Sequence, residues 1–329
     1  MNLLVDFLQN YLDSNGLFTS VEYLNDRKIL FASTSCGKEQ KIIFNSHLDV
    51  VPAAPELFLL CEEGDKIYGR GTNDCLGNSA LLANMLITLK DEPGIGVIFS
   101  TDEETGGATT AHMVDHGYKG HMVMVMDCGG YSVCFGQKGI LTLKLTATGK
   151  AAHGSEPWNG DNAIEKVIDV YPRLKSLFKP TGPDDMWHTT CSINVFNAGT
   201  VFNRIPDIAE VVLDIRYTEE DPPEKLMKDI AELTGFKVEV LKESPVVFCD
   251  SKHELVTGFV SHMSSFLKRE IPEVRLNGAT DARHFVKLSV PVIMLGIPGH
   301  GAHADDEYAL IEPIAEFEEM LVSYCRTKL

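Results

Sequence analysis

In FNSHLDVVP, His47 and Asp49 stand two residues apart on an apolar run that reads as a strand, so both side chains project to one face. An imidazole that binds a metal usually has its second ring nitrogen held by a carboxylate, which fixes the tautomer. An HxD pair supplies both parts, although a surface His beside an Asp has the same spelling. In YGRGTNDCLGNSA, Gly69, Gly71 and Gly77 flank Asp74 just ahead of a helical pattern. Glycines let the backbone turn tightly and approach a ligand, and Asp74 is either such a contact or a plain helix N-cap. No Lys follows these glycines, so they do not form a phosphate loop. STDEETGG sets Asp102, Glu103 and Glu104 in a row after the apolar run GVIF, and such acids repel unless something positive sits among them. VMVMDCGG delivers Asp127 to a Gly-Gly turn, and GIPGHGAHADDEYALIEP places His300 and His303 in a Gly-rich loop. Imidazoles with hard oxygen donors suit zinc, cobalt or manganese. One carboxylate beyond the needs of a single ion points to two ions sharing a bridge, about 3.5–4 Å apart.

These residues need a frame that brings them to one place. Over the first 135 or so residues, QKIIFNSH, GVIFST and HMVMVMD read as strands, and GNSALLANMLITLK and GATTAHMVDHG as helices. That alternation predicts an α/β layer with a mostly parallel sheet and helices on both faces. Ligands bind such sheets at the carboxyl ends of the strands, where His47, Glu103 and Asp127 all fall. From about Ile140 the texture changes. ILTLKLTATG, AEVVLDIRYT and FKVEVL alternate apolar and polar residues like half-exposed antiparallel strands. NAIEKVIDVYPRLKSLF and PPEKLMKDIAELTG read as amphipathic helices beside them. After Cys249 the α/β style returns, in ELVTGFVSHMSSFLK, PVIMLG and IEPIAEFEEMLVSYC. The expected organisation is therefore a domain of residues 1–136 and 249–329 with an α+β domain, 137–248, inserted into it.

The chain has 329 residues, more than one core usually holds, and a formal net charge of −18. That charge argues against nucleic acid or an anionic membrane as partner. No stretch reaches the ~20 apolar residues of a membrane span. MNLLVDFLQNYLDSNG carries Asp6 within its apolar run and reads as an amphipathic helix, not a signal peptide. Eight scattered cysteines without CxxC spacing then read as free thiols in a cytoplasmic protein, and a Cys-type zinc site is not expected. No G-x-S-x-G is present, which removes the serine-hydrolase elbow.

The order HxD, GRGxxDxxG, DEE, Asp-x-Gly-Gly and AHxxDE resembles the M20 metallopeptidase family, which includes dinuclear zinc carboxypeptidases and aminopeptidases, aminoacylases, succinyl-diaminopimelate desuccinylase and acetylornithine deacetylase. GKAAHGSEPWNGDNAI, NRIPDIAEVVLDIRY and NGATDARHF extend the likeness over nearly the whole chain. The resemblance implies two divalent ions, Zn2+ first and Co2+ or Mn2+ as alternatives. His47, Asp74 and Asp127 would hold one, and Asp74, Glu104 and His303 the other, with Asp74 bridging. His303 rather than His300 carries the family's spacing to Glu307. Glu103 would be the general base for a metal-bridged hydroxide, and Asp49 would orient His47. His153 and Asn203 would assist at the carbonyl oxygen, and Arg216 or Arg283 would pair with a substrate carboxylate. For Arg216 a strand-face ion pair is the competing reading. A cis peptide is implied at Asp74–Cys75. The inserted domain would be a lid that also makes a homodimer.

The implied function is hydrolysis of an amide or peptide bond in a small, carboxylate-bearing substrate. Asp127, Asp as in aminopeptidase-like members, favours a peptidase, and an N-acyl amino-acid deacylase is the alternative. A non-catalytic binding protein of the same fold would have lost ligands, yet all are present. Two departures stand out. Leu76 occupies a position where the family usually has Lys, which alters the surroundings of the site. The family's usual first helix and IPS segment are absent, which implies a more open N-terminal edge.

Overall fold

The computed structural model describes residues 1–182 and 184–328. Two compact units are present. One comprises Met1–Gly136, Val247–Arg275 and Thr280 onward, the other Gln137–Val246 and Leu276–Ala279. The expected boundaries differ from these at Val247–Phe248, which belong to the first unit, and at Leu276–Ala279, which belong to the second. The latter segment is tied to the second unit by Lys138 N–H donating to Leu276 O at 3.1 Å, a long-range bond with no local sequence signal.

The first unit is built on a nine-stranded sheet. Its path runs Phe18–Leu24, Arg27–Ser33, Ile95–Ser100, Glu39–His47, Lys119–Val125, Val292–Met294, Val133–Gln137 and Val247–Phe248, with Glu273–Leu276 paired to Val133–Gln137. The middle pairings are parallel, and those of Phe18–Leu24 with Arg27–Ser33, Arg27–Ser33 with Ile95–Ser100, and Val292–Met294 with Val133–Gln137 are antiparallel. Ile95–Ser100 is buried throughout, because a parallel strand is covered on both faces and so reads as a continuous apolar run. Ile42 and Phe44 join a core with Leu8 of helix Asn2–Ser14, Met85 of helix Leu76–Thr88, Phe259 of helix Glu254–Leu267 and Phe317 of helix Ile311–Lys328. Ile43, equally buried, points to the opposite face, where helices Ala108–Asp115 and Ala282–Phe285 pack. The α/β expectation with helices on both faces holds.

Parallel strands bring their carboxyl ends to one edge. His47 ends its strand, Ser100 ends the next, and Asp127 follows Val125 by two residues. A small antiparallel ribbon of Gly299–His300, Tyr308–Leu310, Lys66–Tyr68 and Cys61–Glu63 completes the arrangement. Tyr308 lies opposite Tyr68, so the loops 69–74 and 301–307 leave neighbouring strands side by side.

The second unit has a four-stranded antiparallel sheet in the order Thr190–Ala198, Ile208–Tyr217, Gly139–Thr148, Lys237–Ser244. Leu141, Leu143 and Leu145 alternate with Thr142, Lys144 and Thr146, and only the leucines are buried. They meet Val167 of helix Ala163–Lys175 and Ile230 of helix Pro223–Thr234. A two-stranded ribbon pairs Ala152–His153 with Arg204–Ile205. Among the described residues, no helix is long and apolar enough to cross a membrane.

Candidate metal centre

Asp74 lies between two imidazoles. Its Oδ1 is 2.9 Å from His47 Nε2 and its Oδ2 is 3.2 Å from His303 Nε2. Two donor groups follow from this. One donor atom from each of His47, Asp74, Cys75 and Asp127 lies within 4.8 Å of the others, and the same holds for Asp74, Glu104 and His303. His303 Nε2 is also 3.1 Å from Glu104 Oε2. His300 stays on its strand beside the Tyr308 ring. The expected ligand residues are thus gathered around one shared carboxylate.

Asp49 ties the first group to the acidic loop. Its backbone carbonyl lies 2.9 Å from His47 Nδ1, while its carboxylate accepts Glu103 N–H and Glu104 N–H, both at 3.1 Å. Its Oδ1 is 3.6 Å from His47 Nδ1. Orientation of His47 therefore comes from the main chain of Asp49 at hydrogen-bond distance and from its side chain at longer range. The side chain has a second task that the HxD spacing did not suggest, holding the one-turn helix Glu103–Thr105.

The three adjacent acids take three environments. Asp102, 6 % exposed, turns inward and accepts the Thr109 N–H at 2.9 Å as well as the Thr109 hydroxyl. It is a structural acid at the start of helix Ala108–Asp115. Glu103 meets Arg283 Nη1 at 3.4 Å, and Glu104 faces His303. Gly106 and Gly107 then adopt φ +127° and +68°. A Cβ on Gly107 would come within 2.1 Å of Asp281 Oδ1 and 2.6 Å of His284 Nε2, whereas nothing lies within 4 Å of one on Gly106. Gly107→Ala is expected to cost at least about 1–3 kcal/mol through backbone strain and overpacking. Gly106→Ala carries the strain alone. Thermal unfolding of the two variants checks the order, and equal midpoints would contradict it.

Glu307, used in the sequence only as a spacer from His303, anchors the glycine loop. It is 2 % exposed. It accepts N–H groups of Gly71, Asn73 and Asp74 at 3.0–3.1 Å and pairs with Arg70 Nη1 at 2.6 Å. Arg70 Nη2 also donates to His303 O at 3.3 Å, which holds His303 in a left-handed conformation, φ +68°. Leu76 packs close to Gly71, whose Cβ would lie 2.8 Å from Leu76 Cδ1 and 2.9 Å from Val50 Cγ1. The peptide Asp74–Cys75 is cis, as the resemblance implies.

The donor set fits divalent cations. It combines imidazoles with buried and half-buried carboxylates, the ligand types of zinc, cobalt and manganese. The carboxylates strain against one another. Burial, with Asp74 and Glu103 nearby, pushes the Asp127 carboxyl well above its usual range, and burial with Asp74 raises Glu104. Burial opposes a charged His47, yet the Asp49 and Asp74 carboxylates beside it favour the charged form, and its pKa lies well above the ordinary value. A cluster of this kind is relieved by cations. Cys75 is within reach but unsuited. Its thiol donates to Met126 O at 2.6 Å, and burial raises its pKa, so it stays protonated. Burial, followed by Asp281, lifts Glu103 to about 7.

A profile of Peptidase family M20/M25/M40 matches residues 43–327. The chain belongs to the M20 family. A probable succinyl-diaminopimelate desuccinylase of Staphylococcus aureus (strain MRSA252) is 26% identical, with 98% of this chain and 93% of that protein covered. Carboxypeptidase G2 of Pseudomonas sp. (strain RS-16) is 30% identical over 77% of this chain and 65% of its own length. The crystal structure of a Staphylococcus aureus tripeptidase superposes with a TM-score of 0.78 at 18% identity, covering 98% of this chain and 91% of that one. This M20 protein is a metal-dependent hydrolase of amide bonds.

Of the remaining site residues, His153, Asn203 and Arg216 belong to the second unit and Arg283 to the first. His153 is exposed on the short ribbon of the second unit, its Nδ1 2.7 Å from Ser155 Oγ, and Asn203 is beside it, Gly154 N–H donating to Asn203 O at 2.8 Å. Arg216 is half-buried on its strand and pairs with Asp214 at 3.1 Å, the ion pair that the strand pattern allowed. Arg283 is only 6 % exposed.

Proposed function

We propose that the chain is a dinuclear peptidase that releases an amino acid from a small peptide bearing a free carboxylate. One observation carries this reading: Asp74 offers one oxygen to each of two imidazoles, so a single carboxylate serves two donor groups. His47, Asp74 and Asp127 hold one ion, and Asp74, Glu104 and His303 the other, with Zn2+ as the ion and Co2+ or Mn2+ as substitutes. Divalent ions bound there supply Lewis acidity toward the scissile carbonyl and toward water. Glu103 takes the proton of the attacking water and passes it to the leaving amine. Asp49 keeps His47 and the Glu103 backbone in register. His153 and Asn203 act on the carbonyl oxygen, and Arg216 offers its guanidinium to the substrate carboxylate. Arg283, expected to share that task, has Glu103 as its neighbour.

The second reading, an N-acyl amino-acid deacylase, is favoured by the desuccinylase relative that spans nearly the whole chain. Asp127, Asp as in aminopeptidase-like members of the family, favours the first. Purified protein supplied with Zn2+, Co2+ or Mn2+ is expected to release amino acids from di- and tripeptides faster than acetate or succinate from N-acyl amino acids. Acyl release alone would transfer the assignment to the deacylase. A chelator is expected to abolish turnover and a divalent ion to restore it, and turnover that persists without metal would end the metal reading.

The first unit is the catalytic domain in this proposal, and the second is a lid that forms a homodimer. Strand Thr190–Ala198 ends its sheet, with Val195 43 % and Phe196 44 % exposed, and helix Ala163–Lys175 shows Ile168 at 58 %. A free sheet edge beside apolar side chains is what a second copy would cover. The cytoplasm suits the eight free cysteines.

A further inference from the structure

We propose that Arg283 is a positioning residue for Glu103, and that Asp281 clamps the turn bearing Arg283 onto the loop bearing Glu103. The inference rests on the role of Glu103 as base, and it changes what the segment TDAR is for. Arg283 lies on the four-residue helix Ala282–Phe285. A guanidinium kept for an incoming carboxylate needs open donors. Arg283 is only 6 % exposed, with Nη1 donating to Thr280 O at 2.8 Å and to Glu103 Oε1 at 3.4 Å. Its direction is therefore set by the turn it belongs to, and it points at the base.

The turn is in turn fixed to the loop. Asp281, 1 % exposed, accepts the hydroxyls of Ser100 at 2.8 Å and Thr110 at 2.6 Å. Those residues bracket the acids, one closing the strand before them and the other in the helix after them. Between the two, Gly107 lacks the Cβ that would come within 3.0 Å of Arg283 Nη2. Four contacts thus join two residues of the turn to four of the loop and its flanks: Asp281 to Ser100 and Thr110, Gly107 against Arg283, and Arg283 on the Glu103 carboxylate itself. Asp49 holds the Glu103 main chain from the other side. With one Glu103 oxygen directed by Arg283, the other is left for the water proton. A carboxylate free to rotate loses this alignment, and misplacement by about 1 Å can cost on the order of 10²-fold in rate.

The test uses the full chain with divalent ions, the dipeptide cleaved fastest in the panel, and that dipeptide's C-terminal carboxamide. Arg283→Gln is expected to lower kcat by about 10–10²-fold on both substrates. KM and the preference for carboxylate over carboxamide are expected to change less than about twofold, a margin far below the rate loss. Arg283→Lys, which keeps the charge, regains part of kcat. Thr110→Val, which removes one donor to Asp281 and leaves Arg283 intact, gives a smaller loss of the same kind. Crystal structures of wild type and Arg283→Gln supply a readout apart from activity, the Glu103 carboxylate being ordered in the first and displaced or multiple in the second. A collapse of the carboxylate preference with raised KM would make Arg283 a substrate contact and overturn the proposal. So would an unchanged kcat, or one Glu103 rotamer in both structures. Glu103→Gln separates the two readings: if it abolishes turnover while Arg283→Gln leaves kcat unchanged, the base stands and the positioning role is lost. If Glu103→Gln keeps turnover, both fall.

Discussion

Glu103→Gln is expected to lower kcat by about 10²–10⁴-fold, the usual contribution of a positioned acid or base, while both metal ions stay bound. The amide has the shape of the carboxylate and cannot take a proton. Glu103 is not a member of either donor group, and its backbone is fixed by Asp49 whatever its side chain. The burial that lifts its carboxyl to about 7 is suited to proton exchange near neutral pH. Metal content by elemental analysis beside single-turnover kinetics checks both halves. Full metal content with surviving turnover would show that another group takes the proton, whereas loss of metal would make Glu103 a ligand.

Glu307→Ala is expected to destabilise the first unit by about 3–5 kcal/mol, because it leaves the buried Arg70 without its counter-charge. Three N–H groups of the glycine loop lose their acceptor at the same time. Asp74 is one of the three, so divalent-ion affinity should fall together with stability. Glu307→Gln keeps an acceptor oxygen and is expected to cost less. Thermal unfolding and metal titration of the two variants are the measurements. A Glu307→Ala protein that melts with the wild type would mean that solvent replaces these bonds without penalty, contrary to a side chain 2 % exposed.

What could be read from the sequence is what depends on local pattern. His47 and Asp127 were legible because apolar strands announce their own ends, and parallel strands end at one edge. Glu103 and Glu104 were legible as a pair, but their separation from Asp102 was not. That depends on a loop that turns Asp102 back to Thr109, seven residues on. Glu307 was invisible as an anchor because its partners lie more than 230 residues away. The hairpin Phe18–Leu24 with Arg27–Ser33 escaped the α/β pattern since its outer strand is half-exposed and lacks an apolar run. Arg283 was matched to a substrate carboxylate by the resemblance alone, since nothing in NGATDARHF tells whether its guanidinium is open or enclosed. Only the packing of its turn against Gly107 and Thr280 shows that it is enclosed.

The bonds of Glu307 also impose an order on synthesis. Gly71, Asn73 and Asp74 leave the ribosome some 230 residues before the carboxylate that fixes them, and His303 arrives only with it. Until then the glycine loop has no acceptor for its N–H groups and the Asp74 carboxylate lacks its second imidazole. A growing chain can therefore pair its early strands but cannot assemble both donor groups. On the proposed two-ion reading, competence to capture both ions is withheld until the last stretch has joined the ribbon at Tyr68, so a half-made chain carries no working hydrolytic centre.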